Sequence, residues 1–217
     1  MRRYDVVLWD LDGTIVDSAE GIYVSFEHTF TEMGWDVPDR ATLRKFLGPP
    51  LLETFGELVG MNRDDTVRAM RIYRENYHAV GAFKGTPYDG VIELIEQVRA
   101  AGIPTALATS KAATAARLVT DHFDLNRLFD IYACATDDDS RKTKEEVVEH
   151  ALALFAEQGI DTSRAVLIGD RIHDVDGAFL HGIDCVLVEW GYGTTEEFAR
   201  ATSSVATIAD LSELLGI

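Results

Sequence analysis

Short apolar runs along this chain alternate with stretches in which apolar residues recur at helical spacing. The first run is Val6-Val7-Leu8-Trp9, halted by Asp10-Leu11-Asp12-Gly13-Thr14. Two valines and a tryptophan closed by a glycine signal predict a buried strand. Asp17-Ser18-Ala19-Glu20 reads as a capping box opening a helix, in which Ile22, Phe26, Phe30 and Met33 share a face and Gly34 marks the stop. Pro38 opens a short segment up to Phe46, Gly48-Pro49-Pro50 reads as a stiff turn, and Leu51 to Leu58 as a brief helix. Asn62 is placed to cap a long helix whose Val67, Met70, Tyr73, Tyr77 and Val80 face one way. From residue 16 to 84 the pattern is helical throughout, with no convincing strand.

The rhythm changes at Tyr88. Helical patterns through Val98, Phe123, Phe155 and His181 alternate with apolar runs at Pro104–Ala108, Ile131–Ala135, Ala165–Ile168 and Cys185–Val188. Thr194 to Glu197 reads as another capping box, and Asp210-Leu211-Ser212-Glu213 as one opening the last helix. Alternation of this kind predicts an α/β fold with a doubly wound parallel sheet, Rossmann-like. The domain reading is a core of residues 1–15 and 85–217 with a small helical lobe, 16–84, inserted just after the first strand.

Strands buried in parallel sheets bind ligands at their carboxyl ends. Four chemically loaded points fall at such ends: Asp10 with Asp12, Thr109 with Ser110, the loop before Lys144, and Asp170 with Asp174. A DxD alone is more simply a strand end with an Asp-Gly turn, and a lone Thr there a cap. Their coincidence is hard to obtain from packing. Paired carboxylates at one mouth suit nucleophilic and acid–base chemistry, and their desolvation implies a cation.

Composition narrows the picture. The 217 residues suffice for one core plus a lobe, and 47% apolar with 26% charged residues is ordinary for a globular protein. A net charge of −17 argues against nucleic acid and anionic membrane surfaces as partners. The basic start Met1-Arg2-Arg3 leads into an apolar run broken by Asp10 and Asp12, which fits neither a signal peptide nor a membrane span. Cys134 and Cys185 fall in or beside predicted strands without metal-site spacing, as small core residues of a cytoplasmic protein would. Asp137-Asp138-Asp139 lacks the spaced loop of a calcium site and reads as a solvated acidic loop. Gly191-Tyr192-Gly193 lacks the third glycine of a dinucleotide fingerprint.

Taken together, Asp10-Leu11-Asp12-Gly13-Thr14, Thr109-Ser110-Lys111, Lys144 and Gly169-Asp170-Arg171-Ile172-His173-Asp174 resemble the four ordered motifs of the haloacid dehalogenase superfamily. Gly48-Pro49-Pro50-Leu51, Lys144-Glu145-Glu146-Val147-Val148 and Glu189-Trp190-Gly191-Tyr192-Gly193 are similar to its phosphoglycolate-phosphatase-like subgroup. The resemblance implies a helical cap over a hydrolase core. It implies Asp10 as nucleophile at phosphorus, Asp12 as general acid and then base, Thr109 on a phosphoryl oxygen, and Lys144 neutralising charge. Magnesium is implied on Asp10, the Asp12 backbone carbonyl and Asp170, with Asp174 supporting. Lys142 competes for the lysine position; Lys144 is preferred because it directly opens the helical pattern. Ser110, Lys111, Arg44 and Gly48 are candidates to contact substrate, Lys111 and Arg44 reading equally well as surface cations.

Within the superfamily, Asp12 favours phosphoryl transfer over carbon–halogen or phosphonate cleavage. The expectation is a magnesium-dependent phosphatase acting on a small phosphomonoester, phosphoglycolate-like or a nucleoside monophosphate. A phosphosugar mutase and a non-catalytic binding protein are the alternatives. A DxD glycosyltransferase would leave Lys144 and Asp170 without a role.

Overall fold

The computed structural model describes residues 3–217; Met1 and Arg2, in the basic start, lie outside the described residues. In chain order the elements are β1 Val6–Trp9, β2 Val16–Asp17, α1 Ala19–Met33, α2 Arg40–Arg44, α3 Leu51–Glu53 and α4 Arg63–Ala79. After them come β3 Thr86–Pro87, α5 Val91–Ala100, β4 Thr105–Ala112, α6 Ala113–His122, β5 Ile131–Ala135 and α7 Lys144–Glu157. The chain closes with β6 Ala165–Gly169, α8 Ile172–Leu180, β7 Asp184–Val188, α9 Thr195–Phe198, β8 Ser203–Val205 and α10 Ile208–Leu215.

Six strands form one sheet in the order β5-β4-β1-β6-β7-β8, and every pairing in it is parallel. The chain leaves central β1 toward β4 and β5, then returns on the other side of β1 at β6, so strand order reverses there. A crevice at the carboxyl ends follows from that reversal. All four β1 residues are wholly buried, because helices cover both faces. Val7 and Trp9 belong to one apolar cluster and Val6 and Leu8 to the other, the period-two division expected of a strand. The fold is a Rossmann-like α/β sheet.

Between β1 and β4 the chain builds a helical insertion whose own core is aromatic. Phe26 lies 4.7 Å from Tyr73, 5.2 Å from Phe46 and 5.4 Å from Phe55, ring centroid to ring centroid. Leu51 to Leu58 is not one helix: three α-helical residues run into a π-helical turn, Thr54–Leu58. Residues 16–84 are also not wholly helical. Val16–Asp17 forms a two-residue strand antiparallel to Thr86–Pro87. That strand is too short to show periodicity, and its partner is seventy positions away.

Other local readings shift for similar reasons. Ser18, not Asp17, stands at the α1 N-cap and makes no side-chain cap bond; Asp17 accepts from the Ala19 amide at 3.1 Å instead. Thr207, not Asp210, caps α10, with Asp210 completing the box from inside the helix. Asn62 and Thr194 cap α4 and α9 as expected. β8 follows no strong apolar run and was not foreseen. Cys134 and Cys185 are buried free thiols, and no helix among the described residues is long and apolar enough to cross a membrane.

Phe55 is fully buried at the centre of the insertion's aromatic core. Phe55→Ala is expected to lower stability by about 3–5 kcal/mol, measured by urea unfolding; a loss under about 1 kcal/mol would show that the insertion collapses around the void.

Candidate active site

Asp10 is the first residue past β1, and its amide donates to Ile168 O at 2.9 Å, which pins it to the end of β6. The chain must then turn at once. Gly13 does so with φ +82°, and a Cβ there would fall 2.2 Å from Asp170 Oδ2. Asp170 follows β6, and Asp174 lies in the first turn of α8, where its Oδ2 accepts from the Asp170 and Arg171 amides at 3.1 and 3.0 Å. A side chain at Gly169 would strike the Asp174 carboxyl at 2.2 Å. Small residues at the strand ends thus let three carboxylates converge.

Lys144 closes this group. Thr143 and Glu146 form a capping box that starts α7 at Lys144, whose side chain runs inward. Its Nζ lies 2.6 Å from Asp10 Oδ1 and 2.8 Å from Asp174 Oδ1, and donates to Ala108 O at 2.9 Å. Lys142 is exposed, and its backbone amide serves the same cap.

Asp12 faces a different set. Its Oδ2 accepts from Lys111 Nζ at 2.7 Å and its Oδ1 from the Ser18 hydroxyl. Lys111 gets there through an irregularity in β4: Thr109 pairs with Cys134 and Ala112 with Ala135, so Ser110 and Lys111 bulge out of register. Bulges re-aim side chains at sheet rims. The ammonium sits 4.3 Å from the Tyr77 ring centroid, a cation–π contact with α4. Thr109 is buried beside them, its Oγ1 accepting from the Lys111 amide at 3.3 Å.

Burial pushes the Asp10 carboxyl up to about 6, against the pull of Lys144 and with Asp174 and Asp12 adding to the rise. Burial, then the Asp174 and Asp10 charges, raise Asp170 well above the usual carboxylate range. For Lys144 burial works against the charge, but Asp10 and Asp174 outweigh it and hold the ammonium above its ordinary value. Asp10, Asp170 and Asp174 can each offer a carboxylate oxygen within 4.8 Å of the others. Asp170 Oδ1 is buried with no hydrogen-bond partner, while its Oδ2 accepts from the Tyr192 amide at 2.7 Å. Asp174 Oδ1 meets Lys144 by charge without hydrogen-bond alignment. Three carboxylates against one ammonium leave two negative charges, so this oxygen-only set fits a hard divalent cation. The Asp12 carboxylate is not in the cluster, being held by Lys111 and Ser18.

Asp10, Asp12, Thr109, Ser110, Lys111, Lys144, Asp170 and Asp174 all line one cavity, and Gly48 of the insertion lines it too. Arg44 is exposed on α2 and does not line it. Sequence reasoning missed the supporting residues. Tyr192 fixes Asp170 through its amide, and its hydroxyl accepts from the Ser18 amide at 2.7 Å. Arg171 pairs with Glu197 at 3.0 Å and also donates to the Leu47 carbonyl of the insertion. The Glu189-to-Gly193 motif was the available signal for Tyr192; Tyr77 read only as a packing residue.

A family model described as haloacid dehalogenase-like hydrolase matches residues 7–188. The tyrosine-protein kinase PtkA of Mycobacterium tuberculosis is 40% identical over 217 residues, covering 98% of this chain and 72% of that protein. A 5'-nucleotidase of Pseudomonas aeruginosa is 36% identical over 212 residues, covering 98% and 94%. The crystal structure of a predicted phosphatase from Clostridium acetobutylicum matches with a TM-score of 0.90 and 33% identity, over 97% of each chain.

Raised carboxyl pKa values mean that the folded state holds more protons than the unfolded one, so stability falls as pH rises through that window. Without divalent cations, the wild-type melting temperature is therefore expected to fall relative to Asp170→Asn as pH rises from about 4 to about 7. Added magnesium is expected to raise the melting point of the wild type and not that of Asp170→Asn. Parallel melting curves for the two proteins, with and without the ion, would remove the cation from this cluster.

Proposed function

The chain belongs to the haloacid dehalogenase-like hydrolases and is a phosphatase of that family, and we propose that it hydrolyses a small phosphomonoester, phosphoglycolate-like or a nucleoside monophosphate, through an aspartyl-phosphate on Asp10. The observation that carries this reading is the buried Asp10 carboxylate held at 2.6 Å by Lys144 within a cluster of acids. Asp10 attacks phosphorus, and the ester P–O bond breaks. Asp12 gives its proton to the leaving oxygen. Asp12 then takes a proton from water, which attacks the aspartyl-phosphate and releases inorganic phosphate with Asp10 restored. Thr109 binds a phosphoryl oxygen, and Lys144 offsets charge on Asp10 and on the phosphoryl group. Asp10, Asp170 and the Asp12 backbone carbonyl, supported by Asp174, would hold magnesium, which would supply further charge neutralisation at the site.

Residues 16–84 act as a cap over the core of 1–15 and 85–217, excluding water and contacting the leaving group. Gly48 belongs to that cap and faces the cleft. The identity to a protein named a tyrosine-protein kinase supports a second reading, in which the phosphoryl group passes to a hydroxyl acceptor instead of water. A phosphosugar mutase is another form of that reading.

Asp10→Asn is nearly isosteric and removes the nucleophile, so phosphate release from phosphoglycolate, nucleoside monophosphates and sugar phosphates with magnesium is expected to vanish while the melting curve stays cooperative. Normal turnover by this variant would sink the mechanism, and wild-type transfer to a hydroxyl without phosphate release would favour the second reading. Gly48 has φ +105°, and a Cβ there would lie 2.8 Å from Arg171 Nη1. Gly48→Ala is expected to change the kcat/KM ratio of phosphoglycolate to p-nitrophenyl phosphate by about threefold or more. An unchanged ratio would take this turn out of substrate discrimination.

A further inference from the structure

Asp12 owes its direction to two partners from different parts of the chain. Lys111 Nζ holds its Oδ2 at 2.7 Å, and the Ser18 hydroxyl donates to its Oδ1. Ser18 is the N-cap residue of α1, where a serine ordinarily turns its oxygen back on the helix amides. It makes no such bond, and its hydroxyl goes to Asp12 instead. Ser18 is also 2% exposed, so its amide needs a partner within the protein, and the Tyr192 hydroxyl accepts from it at 2.7 Å. That hydroxyl in turn donates to Asp17 Oδ1 at 3.0 Å. Tyr192 itself comes from the loop between β7 and α9, which lies against the turn after β1. The Trp190 indole donates to the Thr14 carbonyl at 3.2 Å, and a Cβ at Gly191 would fall 2.4 Å from the Gly13 carbonyl oxygen. With its own amide on Asp170 Oδ2 at 2.7 Å, Tyr192 hangs from a backbone fixed to the core.

We infer that Tyr192 is a positioning residue for proton transfer by Asp12: its hydroxyl fixes Ser18, and the Ser18 hydroxyl aims the Asp12 carboxyl at the leaving oxygen. This role rests on the reading of Asp12 as general acid. A contact made only to hold α1 would leave the Ser18 oxygen on the helix amides, where it satisfies one of them. Instead the cap bond is given up for Asp12. Without Ser18 a single ion pair at Oδ2 would let the carboxyl swing about its Cβ–Cγ bond, and a small misplacement of a reacting group is costly in rate. Tyr192→Phe deletes the acceptor of the Ser18 amide, a buried donor that must then shift to find another.

A butoxide leaving group must be protonated as it departs, whereas p-nitrophenolate departs as the anion, so the two report differently on a proton donor. The value of kcat/KM covers the steps through that departure, and it is compared for p-nitrophenyl phosphate and butyl phosphate with magnesium. In Tyr192→Phe, which keeps the amide on Asp170, the ratio of the first to the second is expected to rise by about tenfold or more. Ser18→Ala is expected to raise it as well, and the double variant to match Ser18→Ala alone, because the two groups act in series. If Tyr192→Phe does not fold, the ratio in Ser18→Ala decides. An equal loss on both esters, no loss on either, or rises that multiply in the double variant overturns the relay. Asp12→Asn separates this role from the reading beneath it. A raised ratio there with none in Tyr192→Phe rejects the relay alone; an unchanged ratio in Asp12→Asn rejects the general acid, and the relay with it.

Discussion

A lysine ammonium sealed among carboxylates is the constraint on which this molecule is arranged. Lys144 is 5% exposed, and an unpaired charge at such a depth would be prohibitive. Asp10 and Asp174 satisfy it, and in doing so they tie together the ends of β1 and β6 and the starts of α7 and α8. The same arrangement leaves more negative than positive charge in the cluster. The site is therefore electrostatically incomplete as protein alone, and the buried, unpartnered Asp170 oxygen is the local expression of that deficit.

Around this centre the insertion and one face of the sheet share a buried apolar cluster, in which Phe26, Phe55 and Tyr73 join Trp9, Leu11 and Ile15, and polar contacts add to it at the mouth of the cleft. Arg171 reaches the Leu47 carbonyl, Arg74 pairs with Asp139, and Lys111 lies on the Tyr77 ring. Exposed and half-exposed ion pairs contribute little stability. Lys111 joins the two halves most closely, since it touches Asp12 on one side and an α4 aromatic on the other.

The legible parts of the chain were those whose physics is local. Runs such as Val6–Trp9 and Ala165–Ile168 announce buried strands because both faces are covered, and the 3.6-residue spacing of Phe26 and Phe30 announces a helix. Asn62 and Thr194 were readable as caps because capping acts within one turn. Thr207 and Asp210 were misassigned by one register of the same motif. β2 escaped notice because its only support is a distant partner, and Arg44 stood as a candidate beside the Gly48-Pro49-Pro50 turn because a resemblance in that turn does not reveal which side of a five-residue helix meets the cleft.

Sequence by itself determined the order of elements, the parallel α/β class and the set of polar residues delivered to strand ends, since period, turn chemistry and the coincidence of four motifs are properties of neighbours along the chain. Tertiary structure alone decided the pairings. Lys144, the lysine the helical pattern favoured, is brought to Asp10, Asp12 meets Lys111 and not the acid cluster, and Tyr192 fastens Asp170. Those outcomes depend on distances between residues up to 134 positions apart. Such distances are set by how helices and sheet pack in space, and by the need of every buried charge for a partner within reach.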